Sequence, residues 1–170
     1  MQNLLETAIE FFERGGPIFT VVLIVSIGLW ILILERYWYV LFVYPKDLQK
    51  AVDTWHSRTD HTSWYAMRIR EGLLADIEIT SSKFMLLIQA TTSVLPLLGL
   101  LGTVTGMIAL FDVMNVFSTG NTQGMATGIS RALLPTIAGL VTALAGIYFR
   151  NDLEHRISIY QEEAKDCLQI

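Results

Sequence analysis

Charge is what this sequence most lacks. Only 16% of its 170 residues are Asp, Glu, Lys or Arg, where soluble domains typically carry about 25%. The shortage is localised, because the stretches 15–34, 84–111, 113–130 and 132–149 hold no charged residue at all. Cysteine is nearly absent too. Cys167 is the only one, so no intramolecular disulfide can form. Phosphate-cradling glycine motifs, metal-ligand spacings and nucleophile–base arrangements are missing, which argues against an enzyme and against a bound cofactor. His56 and His61 sit in a polar loop and read as solvated or packed rather than as metal ligands. The basic residues of that loop are matched by Asp47, Asp53, Asp60, Glu71, Asp76 and Glu78, so no nucleic-acid signature emerges. The N-terminus carries Glu6, Glu10 and Glu13 where a secretory signal would be basic, and no small-residue cleavage site follows. The net charge of -4 is too modest to point to a partner.

What is present is apolar length. Hydrophobic residues make up 52% of the chain, and its mean hydropathy is +0.47. A helix crosses the ~30 Å hydrocarbon core with about 20 mostly apolar residues. The first, second and fourth charge-free stretches meet that requirement. The third contains the polar run 118–124 and reads as a helix end plus a turn. The fold class is therefore all-α: an integral membrane protein with three transmembrane helices, some extending beyond the bilayer. Asn3–Glu13 shows an amphipathic period, with Leu4, Leu5, Ala8, Ile9 and Phe12 opposite the glutamates, and reads as an interfacial helix. Gly15, Gly16 and Pro17 break it. Glu35 to Tyr39 form a charged and aromatic boundary, and Pro45 is expected to end the first helix. A further break is expected near 57–60, with a new helix from about Ser63 feeding the second span. That span exceeds the bilayer core, so its Phe84–Gln89 end should project from the membrane.

These signals divide the chain into an amphipathic helix (1–16), a first span with its extension (17–44), a polar helical region (45–90), a second span (91–116), a short turn (117–127), a third span (128–150) and a helical tail (151–170). Basic residues near spans mark the cytoplasmic side. Arg36, Lys46, Lys50, Arg58, Arg68, Arg70 and Lys83 lie in the long loop, and Arg150, Arg156 and Lys165 in the tail. Only Arg14 lies before the first span, and the short turn has no basic residue. The loop and tail are thus expected in the cytoplasm, and the N-terminus and turn outside.

The second and third spans hold the candidate functional residues. Gly99, Gly102 and Gly106 in one, and Gly139 and Gly146 in the other, are spaced for close helix packing, which small residues permit in lipid. Pro96 and Pro135 each remove a helical N–H and are expected to kink their helices. Thr103 and Thr105, and Thr136 and Thr142, sit mid-span. Each alone would bond its own backbone, but together they suggest a polar lane that could line an ion path. Asp112 and Arg131 lie at the outer ends of the two spans. Their natural reading is an ion pair that fixes the hairpin; the other reading is a charge at the mouth of an ion path. No carboxylate lies at mid-membrane depth, so the chain has no proton carrier of its own.

The run Pro96-Leu-Leu-Gly-Leu-Leu-Gly-Thr-Val-Thr-Gly-Met-Ile108 resembles the second span of the ExbB/TolQ/MotA proton-channel family. The run Gly128-Ile-Ser-Arg-Ala-Leu-Leu-Pro-Thr-Ile-Ala-Gly-Leu-Val141 resembles its third, and the short ExbB type that serves TonB-dependent transport is the best match. The resemblance implies an inner-membrane ring, a pentamer, around an ExbD-like one-span partner. The partner's membrane aspartate carries the proton, and a TonB-like protein energises outer-membrane uptake of iron-siderophore, haem or cobalamin. It also implies that Thr103 and Thr136 line the path. A TolQ-like role in envelope maintenance and a non-conducting scaffold remain as alternatives; the short loop disfavours a MotA-like role. One departure stands out. Many ExbB and TolQ sequences carry glutamate in an Ala-Glu-Ala-Leu pattern where this chain has Arg131, and arginine stays protonated in proteins.

Overall fold

Each apolar run forms a helix. The computed structural model describes residues 2–60, 63–117 and 122–168, with side chains described from Gly15 onward except at 113, 115–117, 122 and 123. The amphipathic face expected over Asn3–Glu13 and the polar run 118–121 lie outside these described side chains. Helix α1 covers Gln2–Trp38, a π-helical turn Tyr39–Val43, α2 Tyr44–His56, α3 Trp64–Ser82, α4 Met85–Phe117 and α5 Thr122–Cys167. No strand occurs among the described residues. Three helical stretches are long and apolar enough to cross a membrane: Gly15–His56, Trp64–Asp112 and Gly124–Cys167. The chain is an all-α protein with three such helices.

The breaks have local causes. Within α1, Gly16 takes φ 72° and ψ -177°. A side chain is disfavoured there, and the following Pro17 also disfavours helical geometry at its predecessor. Pro45 does not end the first helix, contrary to expectation. Helical structure continues through the turn Tyr39–Val43, where the Tyr44 N–H bonds the Tyr39 carbonyl. The wider turn accommodates the residue whose missing N–H would otherwise interrupt the ladder. Ser63 caps α3, its hydroxyl accepting from the Tyr65 N–H at 3.1 Å, a typical N-cap bond. The join between α3 and α4 is not continuous either: Lys83 is extended (ψ 136°) and Phe84 has φ 65°. Pro96 and Pro135 leave the helical assignment of α4 and α5 uninterrupted.

The chain forms two compact units. The unit Met1–Trp30 with Ala90–Ile147 is the apolar one. Here α4 and α5 run antiparallel with their backbones in contact. A Cβ built on Gly99 would stand 2.9 Å from the Pro135 oxygen and 2.9 Å from the Thr136 Cα. One on Gly139 would stand 2.6 Å from the Leu95 carbonyl oxygen, and one on Gly106 2.7 Å from the Ala132 Cβ. Gly102 meets Pro135, and Gly146 meets Thr92 and Leu29. Gly99, Gly102, Gly106, Gly139 and Gly146 all lie in this unit's contacts. From α1, Phe19, Val22, Ser26 and Leu29 are buried; their spacing of three and four places them on one helix face.

The second unit, Ile31–Gln89 with Tyr148–Ile170, is the polar one. Its buried cluster joins Tyr44, Ala51, Ile77 and Ala164, with Tyr39, Leu48 and Tyr160 against it; Trp55, Ala66 and Leu168 form a second cluster. Arg36 is only 2% exposed, and its burial is balanced by hydrogen bonds. Two guanidinium nitrogens donate to Glu35 at 2.8 and 2.9 Å. A third donates to the Thr80 carbonyl at 3.0 Å, and longer to Ser81 at 3.4 Å. A cation is well placed at these last carbonyls of α3. Arg70 does the same for α5, donating to the Leu168 carbonyl at 2.6 Å.

The seam predicts a contrast between glycines. Gly139→Ala should destabilise the folded chain by about 2 kcal/mol, because its Cβ meets fixed backbone. Gly28→Ala, whose Cβ meets nothing within 4 Å, should be neutral or stabilising by up to about 1 kcal/mol. Denaturant titration in detergent micelles measures both.

Candidate functional site

The mid-span threonines attach to the α4–α5 seam at different places. Thr136 on α5 reaches across and donates to the Gly99 carbonyl of α4 at 2.6 Å. Thr103 donates to the next carbonyl of its own helix, Leu100, at 2.7 Å. Thr105 bonds back to Leu101 at 2.9 Å and Gly102 at 3.1 Å. Thr142 donates to the Ala138 carbonyl at 2.9 Å and accepts from the Ser26 hydroxyl of α1 at 3.3 Å.

Helical phase sorts these four residues. At about 100° per residue, Thr103 and Thr105 lie on opposite sides of the α4 stripe Gly99–Gly102–Gly106, and Thr136 and Thr142 on opposite sides of the facing α5 stripe. Thr142 meets α1 through Ser26, and Thr105 lines a pocket with Gly15–Ile18 of α1. Thr103 and Thr136 therefore share the flank away from α1. Around them that flank is apolar and exposed, through Leu100, Leu133, Leu140 and Leu144. Helical phase thus puts Thr103 and Thr136 on one flank, and Thr105 and Thr142 on the other.

The charged pair is not made within the chain. Asp112 and Arg131 are both exposed, and no ion pair joins them among the described residues. The reason is depth. Gly106 meets Ala132 and Leu110 meets Gly128, so Arg131 stands level with about residue 107 of α4, and Asp112 lies about five residues, roughly 7 Å, further along that helix. Arg131 instead lines the pocket shared with the start of α1. Among the described residues no group of three or more His, Cys, Asp or Glu side chains could hold a metal ion.

Two features escaped the sequence reading. Ser26 is a buried hydroxyl in the first span, bonded to Val22 at 2.7 Å and to Thr142; a lone serine in an apolar run was the only signal. Arg36 lies in the charged and aromatic boundary after the first span, and nothing in its neighbourhood of sequence announces the α3 carbonyls that hold it.

The comparisons with known proteins agree with the paired spans. The model of the MotA/TolQ/ExbB proton channel family matches residues 45–165. The chain belongs to this family. The ExbB-like 3 biopolymer transport protein of Synechocystis sp. is 45% identical over 71 residues, covering 41% of this chain and 34% of that protein. An ExbB-like 1 biopolymer transport protein of Helicobacter pylori is 23% identical over 185 residues, covering 97% of this chain and 98% of that one. The ExbB biopolymer transport protein of Pseudomonas putida is 35% identical over 75 residues, covering 44% of this chain and 23% of that protein. This family member thus spans about a third of the Synechocystis relative it matches and nearly the whole of the Helicobacter one.

If Asp112 makes no bond that holds α4 to α5, Asp112→Asn should change stability by no more than about 0.5 kcal/mol. The same denaturant titration checks it; a loss several times larger would restore the hairpin ion pair.

Proposed function

We propose that the chain is the proton-channel ring subunit of an ExbB–ExbD–TonB-like motor in the bacterial inner membrane, with its N-terminus in the periplasm and its C-terminus in the cytoplasm. In this reading several copies, five by family resemblance, enclose a one-span partner whose membrane carboxylate carries the proton. The motion is passed to a TonB-like protein that energises outer-membrane uptake of iron-siderophore, haem or cobalamin.

One observation carries the reading: the Thr103 and Thr136 hydroxyls are held by successive carbonyls of α4, on the flank away from α1. Each hydroxyl has spent its only proton on a backbone carbonyl and keeps oxygen lone pairs free to accept. That polarity suits a protonated carboxylic acid on a passing helix, which must donate. The stretches 84–111 and 132–149 contain no acidic residue, so the acid must come from the partner. The surrounding leucines give that helix an apolar wall. Thr105 and Thr142 fit this role less well, because they face α1. The same backbone bonds also support a scaffold reading, in which the hydroxyls only hold α4 to α5; proton flux separates the two.

Thr103→Val and Thr136→Val remove the acceptors at nearly constant volume. Each should cut proton flux through proteoliposomes containing subunit and partner by tenfold or more, a loss of about 1.4 kcal/mol of barrier lowering. Siderophore-dependent growth should fail while the protein stays in the membrane. Normal uptake in both variants would overturn the assignment; flux that is equal with and without the partner would overturn the partner's role. Cys167 is exposed and is the only cysteine, so orientation has a direct readout. A membrane-impermeant maleimide should label it in inverted vesicles and not in intact spheroplasts.

A further inference from the structure

A pocket beside Arg131 lies away from the Thr103–Thr136 flank. It has a volume of about 600 Å³ and is formed by Gly15–Ile18 of α1 together with small residues of α4 and α5, including Gly102, Gly106, Ala109 and Gly128. Arg131 is the only charged residue among the described residues of its lining. The guanidinium has no ion-pair partner among the described residues, and Asp112 is not part of the pocket. An uncompensated cation in a membrane-spanning segment is costly and is normally matched by a counter-charge.

We propose that this groove binds an anionic phospholipid of the outward-facing leaflet, with an acyl chain against the glycine-lined wall and the phosphodiester on Arg131. Depth supports the headgroup contact. Arg131 lies nine residues after the first residue of α5, Thr122, which is about 13 Å along the helix. Its Cα–Cβ bond tilts toward that end, and a long arginine side chain extends further the same way, its stem in hydrocarbon and its head at the interface. The wall supports the chain contact: apart from Arg131 and Thr105 its described side chains are apolar or absent. Charge selects the headgroup. With no carboxylate among the described lining residues, those residues offer nothing to the ammonium of a zwitterionic lipid, while the guanidinium suits a phosphate in a bidentate geometry. The site differs from the Thr103–Thr136 flank; it rests on the proposed function only for the leaflet that supplies the lipid, and lipid binding in detergent is read independently of orientation and of proton conduction.

Native mass spectrometry of the detergent-purified protein, titrated with dioleoyl-phosphatidylglycerol or dioleoyl-phosphatidylethanolamine, tests it. Wild type should bind one phosphatidylglycerol per chain in preference to phosphatidylethanolamine. Arg131→Gln, a change at an exposed side chain, should weaken phosphatidylglycerol binding about tenfold, the scale of a charge-assisted hydrogen bond, and abolish the preference. Ala109→Trp, which fills the groove from an exposed position, should weaken both lipids. Lys46→Gln, outside the pocket, should change neither. The proposal is overturned if Arg131→Gln binds phosphatidylglycerol like wild type, or if wild type shows no headgroup preference. It is equally overturned if inorganic phosphate alone competes as well as the lipid, since the groove would then contribute nothing. Efficient cross-linking of Arg131→Cys to Asp112→Cys on a second copy would also overturn it, because a neighbouring chain would occupy the groove.

Discussion

The apolar unit depends on the close approach of two backbones. In water, helices associate because their apolar faces leave solvent; in lipid that force is absent, and contact area and hydrogen bonds must replace it. Gly99 against Pro135 and Thr136, and Gly139 against Leu95, bring α4 and α5 together where any side chain would intrude. That approach is what allows a short threonine side chain to reach the opposite helix. The Thr136–Gly99 bond of 2.6 Å is a consequence of the glycines as much as of the hydroxyl. Packing and polarity are therefore one arrangement, and the candidate ion path borders the seam because the seam exposes carbonyls within a hydroxyl's reach.

The polar unit solves a different problem. Its helices end near one another, and each end leaves carbonyls without helical partners. Arginines fill this role twice: Arg36 at Thr80 and Ser81, Arg70 at Leu168 and Lys165. Arg36 additionally sits over the rings of Tyr39 and Phe84, at 4.7 and 5.5 Å. A buried cation satisfied on every side fixes a geometry more strictly than a hydrophobic contact of equal size, since breaking one partner strands the charge.

Much of this was legible in the sequence, for reasons that single residues make plain. The spans were legible because an apolar run must be long to cross a bilayer and charges are expensive within it. The seam was legible because Gly99, Gly102 and Gly106 keep helical spacing. Pro45 misled because it marks a missing N–H, and a helix can absorb that defect by widening one turn instead of stopping. The Asp112–Arg131 pairing misled because the two residues end their spans at different depths: the register of Gly106 with Ala132 and Leu110 with Gly128 leaves them about five residues apart along the helix axis. The division of the threonines was not available at all from one helix pair. It required the position of α1, which enters only through tertiary contacts such as Ser26 with Thr142.

The joint between α3 and α4 has a consequence for how such a chain can change length. Inside a continuous helix, adding or removing one residue rotates everything beyond it by about 100°; within the seam, that would swing a glycine out and drive a leucine against backbone. Lys83 and Phe84 interrupt the helix with one extended and one left-handed residue, so the rotational phase of α3 is not geared to that of α4. A left-handed non-glycine residue is uncommon and costs energy, and the neighbouring Arg36 and Lys83 cations over its ring help to hold it there. The joint is thus a place where insertions and deletions can accumulate without scrambling either helix, and drift in length is channelled toward it and away from the membrane-spanning pair.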